Sequence, residues 1–429
     1  MKQDIIDFLR GRKILILGFG REGKSFLQFA KTNLPDVTIA IADQNPVEAD
    51  GVEVFSGPDY LSHVADFDVV IKSPGVPIKD DLDDTQKAKI TSCIDLFLRY
   101  CQNPIIGVTG TKGKSTTSSL VHHILEQNGR HTIFAGNIGK PCFDYIDEIR
   151  EDTIVVLELS CHQLEYVQAS PHVAILLNLY DEHFDHYAKP EDYFTAKKNI
   201  FHFQHSGDLL IYGDIFQHTH HEEIDALPMR KIDLANDQIV DNDKIQTSLI
   251  GEHYKTDIRA AIAACEEFGL SQEQCLNAVT SFKGLRHRLE FVGEFRNIKF
   301  YNDSIATAQE AVISAIKAVP DTDTIILGGM DRGLDYHTLV GYLRHSQIRN
   351  VLLLPDTDVS FQRIFDEAPY SQNVLHVANM DDAVRIAFGV TAEGHSCLLS
   401  PAAASYGFYK NFEERGDDFC QLVEKYAKL

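Results

Sequence analysis

The densest chemical signature in the chain is Gly107-Val108-Thr109-Gly110-Thr111-Lys112-Gly113-Lys114-Ser115-Thr116. It follows an apolar run of strand character and opens a stretch of helical character, the context a phosphate-binding loop requires. Backbone N–H groups around the glycines and the positive end of a helix cradle phosphate oxygens. Lys114 is then placed for the β- and γ-phosphates of a nucleotide, and the Ser115 or Thr116 hydroxyl for a magnesium ion. Val108 stands where the general pattern has its first glycine. A second glycine turn, Gly18-Phe19-Gly20-Arg21-Glu22-Gly23, lies near the start, and Asp43 ends the next strand-like run. Alone, that arrangement reads as a dinucleotide fingerprint and favours NAD. Acid and imidazole groups also crowd the positions from Asp181 to His186.

These groups need elements to hold them. Lys13–Leu17, Val37–Ala42 and Asp68–Lys72 read as buried strands, with a helix after Gly23. Pro104 introduces a strand at Ile105–Val108 and a helix at Ser115–Gln127. Further strands are expected at Ile154–Glu158, Val173–Asn178, Ile298–Tyr301, Thr324–Leu327, Asn350–Leu354, Val374–Val377 and Cys397–Leu399, with a helix at Asp257–Glu267. Strand–helix alternation means parallel sheets wrapped by helices, an α/β fold. The polar stretch from about Ser206 to Leu249 predicts surface hairpins and loops. At 429 residues, and roughly 100–200 residues per domain, three α/β units in series are expected: 1–102, 103–285 and 286–429.

Composition bounds the partners. Hydrophobic residues make up 44% and charged residues 24%, as in a globular protein. With 63 acidic against 40 basic residues the formal charge is −23, which disfavours nucleic acid and anionic lipid as partners. None of the eight scattered cysteines forms a Cys-x-x-Cys pair, so reduced, mostly buried thiols in a cytoplasmic protein are expected. No apolar run approaches the ~18–20 residues that span a bilayer.

The segment Gly110-Thr-Lys-Gly-Lys-Ser-Thr-Thr117 resembles the ATP loop of the Mur ligases, which build peptidoglycan precursors and share a fold with folylpolyglutamate synthases. Matches follow in order along nearly the whole chain, most like the branch that adds glutamate to UDP-N-acetylmuramoyl-L-alanine. The resemblance implies a Rossmann-like N-terminal domain for the UDP-sugar, a P-loop ATPase-like central domain, and a Rossmann-like C-terminal domain for the amino acid. It implies ATP and two Mg²⁺ ions as cofactors, a monomer, and an acyl phosphate intermediate.

Position by position, the resemblance assigns Gly110, Thr111, Lys112, Gly113, Lys114, Ser115 and Thr116 to ATP. Within Leu157-Glu158-Leu159-Ser160-Cys161-His162-Gln163-Leu164-Glu165, Glu158 matches a metal ligand. His183 matches a second, and Ser115 belongs to the same metal shell. Tyr193-Phe-Thr-Ala-Lys197-Lys198 resembles the segment of a carbamylated lysine, with Lys197 at that position and Lys198 the alternative. Lys114, His183 and Lys197 are the expected catalytic groups. Gly18, Gly20, Arg21, Gly23, Asp43, Gln44, Ser73, Pro74, Gly75 and Asn137 match the UDP-sugar pocket, with Asp43 and Gln44 toward the uracil. Arg288 and Asp303 match ATP-contacting positions. Thr307, Arg332, Ser405 and Phe412 match amino-acid contacts, and D-glutamate is favoured over L-glutamate. Tyr254 and Asp257 replace two asparagines near the adenine, and Ile305 a lysine. Those departures keep open an L-glutamate variant and a non-catalytic UDP-sugar binder. A nicotinamide oxidoreductase leaves the P-loop and the acid–histidine run unexplained, and a folylpolyglutamate synthase leaves the first domain unexplained.

Overall fold

The computed structural model describes residues 1–78, 81–180, 187, 189–249, 251 and 253–429. Among them the strands form three sheets. The first contains β1 (Ile14–Leu17), β2 (Ile39–Asp43), β3 (Glu53–Ser56), β4 (Val69–Lys72) and β5 (Ile90–Thr91), in the order β3-β2-β1-β4-β5. Every pairing is parallel. Strands β1 and β4 are buried at every residue, because helices cover both faces of such a sheet and leave no solvent face to alternate with. The order reverses direction between β1 and β4, the position where open α/β sheets leave a crevice at their carboxyl edge.

The second sheet contains β6 (Ile105–Thr109), β7 (Thr132–Gly136), β8 (Ile154–Glu158), β9 (Val173–Asn178), β10 (Leu209–Asp214) and β11 (Arg230–Asp233). Its order is β11-β10-β9-β6-β8-β7, again all parallel. Strands β8 and β9 therefore flank β6, and the carboxyl ends of all three share one edge. Phe143 packs against Phe26 and Phe29 from the first sheet's long helix, with centroids 5.9 and 5.1 Å apart. One apolar cluster runs from Ile5 through both sheets to Met229. Residues 1–247 and 252–282 thus form one compact unit.

The other unit, residues 248–251 and 283–429, is built on β12 (Glu290–Phe295), β13 (Ile298–Asn302), β14 (Thr322–Gly329), β15 (Asn350–Asp356), β16 (Asn373–His376) and β17 (Ser396–Leu399). The order is β12-β13-β17-β14-β15-β16. Only the β12–β13 hairpin is antiparallel. Separate apolar clusters fill its two faces.

The α/β expectation and the anticipated strands appear with shifts of one or two residues at their ends. Two expectations need correction. The stretch from 206 to 249 is not hairpins and loops: β10 and β11 are parallel sheet strands, separated by the helix His221–Asp225. The apolar run Leu209–Tyr212 is short enough to be mistaken for a loop flank, but it is buried against β9. The first long helix begins at Arg21, so Gly23 lies inside it rather than before it. All eight cysteines are free and seven are buried. Among the described residues no helix is long and apolar enough to cross a membrane.

Candidate active site at the strand ends

The P-loop turn follows β6. Gly110 and Gly113 adopt φ values of 157° and 86°, conformations that L side chains resist. Gly113 caps the helix Lys114–Gln127, and a Cβ there would stand 2.5 Å from Oδ1 of Asp257. Asp257, one of the departures, is buried directly against the turn. Two ammonium groups converge on one carbonyl: Gly110 O accepts Nζ of Lys114 at 2.9 Å and Nζ of Lys197 at 2.8 Å. Lys114 also donates to Thr111 O at 3.0 Å. Lys197 is 1% exposed, whereas its neighbour Lys198 reaches Glu223 on the surface at 3.1 Å. Helical geometry points adjacent residues in different directions, and here one points into the loop and the other away from it.

The flanking strands complete the edge. Asn178, at the end of β9, accepts the Lys112 N–H through Oδ1 at 2.8 Å and returns Nδ2 to Lys112 O at 3.2 Å. Its own carbonyl accepts Thr111 N–H at 3.1 Å. The Thr111 hydroxyl meets the Tyr193 hydroxyl at 3.0 Å. Glu158, at the end of β8, is buried; its Oε1 accepts Nδ2 of Asn137 at 2.6 Å, while Oε2 has no hydrogen-bond partner among the described residues. Gly136 is needed beside it, since a Cβ there would lie 2.2 Å from Glu158 O. A buried carboxylate oxygen without a partner is costly, and a hard cation offsets that cost. The donor set therefore fits a metal at Glu158. No group of three or more acidic, histidine or cysteine side chains suited to a metal occurs among the described residues. His183 and the rest of the 181–186 run lie outside them. Ser115 and Thr116 occupy the first turn of the P-loop helix.

A cleft of about 350 Å³ opens at the carboxyl edge of the first sheet. Gly18, Gly20, Arg21, Asp43, Gln44, Ser73, Pro74, Gly75 and Asn137 line it, so nine sequence-nominated residues from two sheets meet there. Gly23 does not line it. A Cβ at 23 would lie 2.4 Å from Gly18 O, which makes this glycine a packing requirement. Both Asp43 oxygens accept backbone N–H groups, from Phe19 at 2.7 Å and Asn45 at 2.8 Å, so the carboxylate shapes the turn. The Ser73 hydroxyl donates to Gly18 O at 2.6 Å. Arg21 reaches the carbonyls of Gly139 and Asn137 at 3.2 and 3.3 Å, tying this turn to the Glu158 neighbourhood. Behind the cleft, buried Lys72 pairs with Glu165 at 3.0 Å, and burial holds its pKa below the usual lysine value.

In the C-terminal unit, Asp303 is buried. Its Oδ1 accepts Leu289 N–H at 3.1 Å and its Oδ2 accepts the Ser400 hydroxyl at 2.8 Å. Burial lifts its carboxyl to about 7 against those bonds and the nearby Arg288. Among the described residues, Nε of Arg288 is buried without a hydrogen-bond partner. Ser405 is buried, and Phe412 begins the last helix with its carbonyl accepting the Ser304 hydroxyl at 2.8 Å. Thr307 and Arg332 are exposed.

Four residues that the sequence left without a role belong to these sites. Asn178 braces the P-loop, Glu22 and Gln163 bond to each other at 2.7 Å beside the first cleft, and Arg415 is a buried cation in the C-terminal unit. Arg415 donates to Ser304 Oγ, Ser304 O and Ala403 O at 3.0, 2.8 and 3.0 Å. Burial draws its pKa down to about 10. An arginine among acids in a first helical turn reads as a solvated charge, so only packing reveals it.

Residues 108–236 match the Mur ligase middle domain, and residues 287–403 match the Mur ligase glutamate ligase domain. A relative from Clostridium botulinum named UDP-N-acetylmuramoylalanine–D-glutamate ligase is 30% identical, with 98% of each chain covered. One of the same name from Symbiobacterium thermophilum is 33% identical, covering 87% of this chain and 88% of the relative. Among solved structures, the Thermotoga maritima UDP-N-acetylmuramate-alanine ligase MurC superposes with a TM-score of 0.57 at 16% identity, covering 97% of this chain and 99% of that one. The MurF ligase of Thermotoga maritima, solved in complex with ADP, gives 0.57 at 14% identity, covering 99% and 96%. These two establish likeness of fold.

Proposed function

Because the chain belongs to the Mur ligase family of ATP-dependent, ADP-forming ligases, we propose that it joins glutamate to UDP-N-acetylmuramoyl-L-alanine. D-glutamate is the amino acid of choice, as in the relatives' names. The observation that carries this reading is the P-loop edge: two lysines on one carbonyl of a glycine turn, beside a buried carboxylate oxygen without a partner.

The residues divide the work. The cleft at Gly18–Gly20 and Ser73–Gly75 takes the uridine diphosphate, with the muramoyl end toward Asn137. Backbone N–H groups from Gly110 to Lys114 and the helix end take the ATP phosphates. On binding, Lys114 leaves its own loop carbonyls for the β- and γ-phosphates. Glu158 would hold Mg²⁺, with His183, Ser115 and a carbamylated Lys197; the ions neutralise charge on the phosphate oxygens. Lys197 suits carbamylation because burial favours the neutral amine that captures CO₂. The substrate carboxylate displaces ADP from the γ-phosphorus, forming an acyl phosphate. The glutamate amine then attacks the acyl carbon, forming the C–N bond of a tetrahedral intermediate; the amine loses a proton, and the intermediate collapses as its C–O bond to phosphate breaks. No protein nucleophile is required, so positioning and charge stabilisation supply the catalysis. Residues 1–102, 103–285 and 286–429 are read as the UDP-sugar, ATP and amino-acid domains. Arg288 and Asp303 are assigned to the nucleotide, and Thr307, Arg332, Ser405 and Phe412 to glutamate.

The test measures phosphate release from ATP with UDP-N-acetylmuramoyl-L-alanine and either enantiomer of glutamate. Release with the D form alone is expected. Release with L-glutamate alone transfers the assignment to an L-adding variant, and no release from folded protein with either enantiomer overturns the reading.

A further inference from the structure

The anion-binding turn after β1 carries an acid. Glu22 is the second residue of the 13-residue helix Arg21–Asn33 and borders the cleft. Its Oε1 accepts Nε2 of Gln163 at 2.7 Å, and its Oε2 is buried without a hydrogen-bond partner among the described residues. As a carboxylate it is a poorly balanced charge. The cations that face it are Lys72, already bonded to Glu165, and Arg21, which donates to two carbonyls. The other titratable groups against it are the thiols of Cys93 and Cys142, and burial raises both, so they stay neutral and add no positive charge. A nucleotide diphosphate brings two further negative charges into the same low-dielectric space, where repulsion between like charges is strong. The neutral acid reverses the balance. It removes one negative charge from the space beside the ligand and leaves the buried oxygen uncharged, which lowers the cost of its having no partner.

We propose that Glu22 enters the bound state as the neutral acid, so that the anionic ligand of this cleft is taken up together with one proton. The proton passes from buffer to a carboxylate oxygen of Glu22, and no other bond changes. In the free protein, burial against the Gln163 bond and the two cations already lifts Glu22 to about 7. The inference rests on the reading of the cleft as a nucleotide-diphosphate site.

Titration calorimetry on the full chain tests it, with UDP-N-acetylmuramoyl-L-alanine in two buffers of different ionisation enthalpy. Neither the diphosphate diester nor the carboxylate of that ligand titrates between pH 7 and 8.5. Wild-type protein should take up close to one proton per ligand at pH 8, and its affinity should fall about tenfold from pH 7 to 8.5. Glu22→Gln, which keeps the acceptor for Gln163, should take up none and hold its affinity level across that range. Wild-type binding without proton uptake, or uptake that persists in Glu22→Gln, overturns the inference and leaves the cleft assignment intact. Failure of folded wild-type protein to bind at any pH overturns the cleft assignment and this inference together. Should Glu22→Gln not fold, infrared difference spectra of the wild-type complex decide: a ligand-induced band of a protonated carboxyl supports Glu22, and its absence overturns it.

Discussion

The turn after β1 and the turn after β6 are built from the same parts: a buried parallel strand, glycines at its carboxyl end and the amino end of a long helix. They differ in which charged side chains bond to the turn itself. At β6 two cations, Lys114 and Lys197, rest on Gly110 O, with the Asp257 carboxylate against Gly113. At β1 the side chain bonded to the turn is an acid, Asp43, which accepts Phe19 N–H; Glu22 lies alongside with one oxygen buried, and Arg21 is tied to two carbonyls. A helix end and backbone N–H groups suffice to hold a phosphate whose charge does not change. Transfer of a phosphoryl group shifts charge among oxygens, and that shift needs mobile or metal-borne positive charge at the site. On the proposed function, the paired lysines on Gly110 O would mark the turn that reacts, and the β1 turn, which has none, the one that only binds.

Removing the cation from the reactive turn should have the largest effect. Lys114→Ala is expected to lower ATP-dependent phosphate release by on the order of 10³-fold or more, within the range reported for charge-stabilising groups in phosphoryl transfer. Calorimetry should find nucleotide-sugar affinity unchanged. Equal loss of both would erase the distinction between the turns.

The two adjacent lysines sharpen it. Lys197→Ala should cost on the order of 10²-fold in turnover, since it empties a buried position on the loop. Lys198→Ala breaks only a surface pair with Glu223, worth about 0.2–1 kcal/mol, and should leave turnover intact. A ¹³C carbamate signal from labelled bicarbonate, present in wild type and absent in Lys197→Ala, checks the modification. Loss of turnover confined to Lys198→Ala would move the role to the neighbouring residue.

At the binding turn, Gly23→Ala places a methyl group 2.4 Å from Gly18 O, a collision between backbone and side chain that costs about 1–3 kcal/mol. Nucleotide-sugar affinity should fall while ATP-analogue affinity holds. Unchanged sugar binding would mean that the turn is not part of that site.

How much of this was legible beforehand differs between the two turns for physical reasons. Local pattern identifies both loops, because glycine spacing and flanking strand and helix signals are contiguous in sequence. Partners from neighbouring strands are not contiguous. Asn178 braces Lys112 from 66 positions away, and Gln163 meets Glu22 from 141; only the strand order brings them together. Lys197 and Lys198 have identical chemistry, and nothing but helix orientation separates them. β10 and β11 escape a reading of the sequence because Leu209–Tyr212 is too short to announce a buried strand, and the polar connection after it dominates the window. Arg415 reads as solvent-facing until its burial is seen.

A stability measurement separates the acid of the β1 turn from ordinary surface acids. Glu22 has its folded-state pKa raised from 4.5 to about 7, chiefly by burial. The folded protein therefore holds this proton more tightly than the unfolded chain does. The stability tied to it is fully present below about pH 4.5 and is lost as pH rises through about 7. Glu22→Gln removes the ionisation, so the variant should be more stable than wild type at pH 8, by about 1–3 kcal/mol. The gap should close as pH falls below about 5. Thermal unfolding at several pH values reads this directly, at roughly 2–4 °C per kcal/mol for a unit of this size. An acid that served the fold through its charge would give the opposite trend, with the variant weaker at pH 8 than wild type. The sign of the difference thus decides whether the charge of Glu22 serves the fold or opposes it.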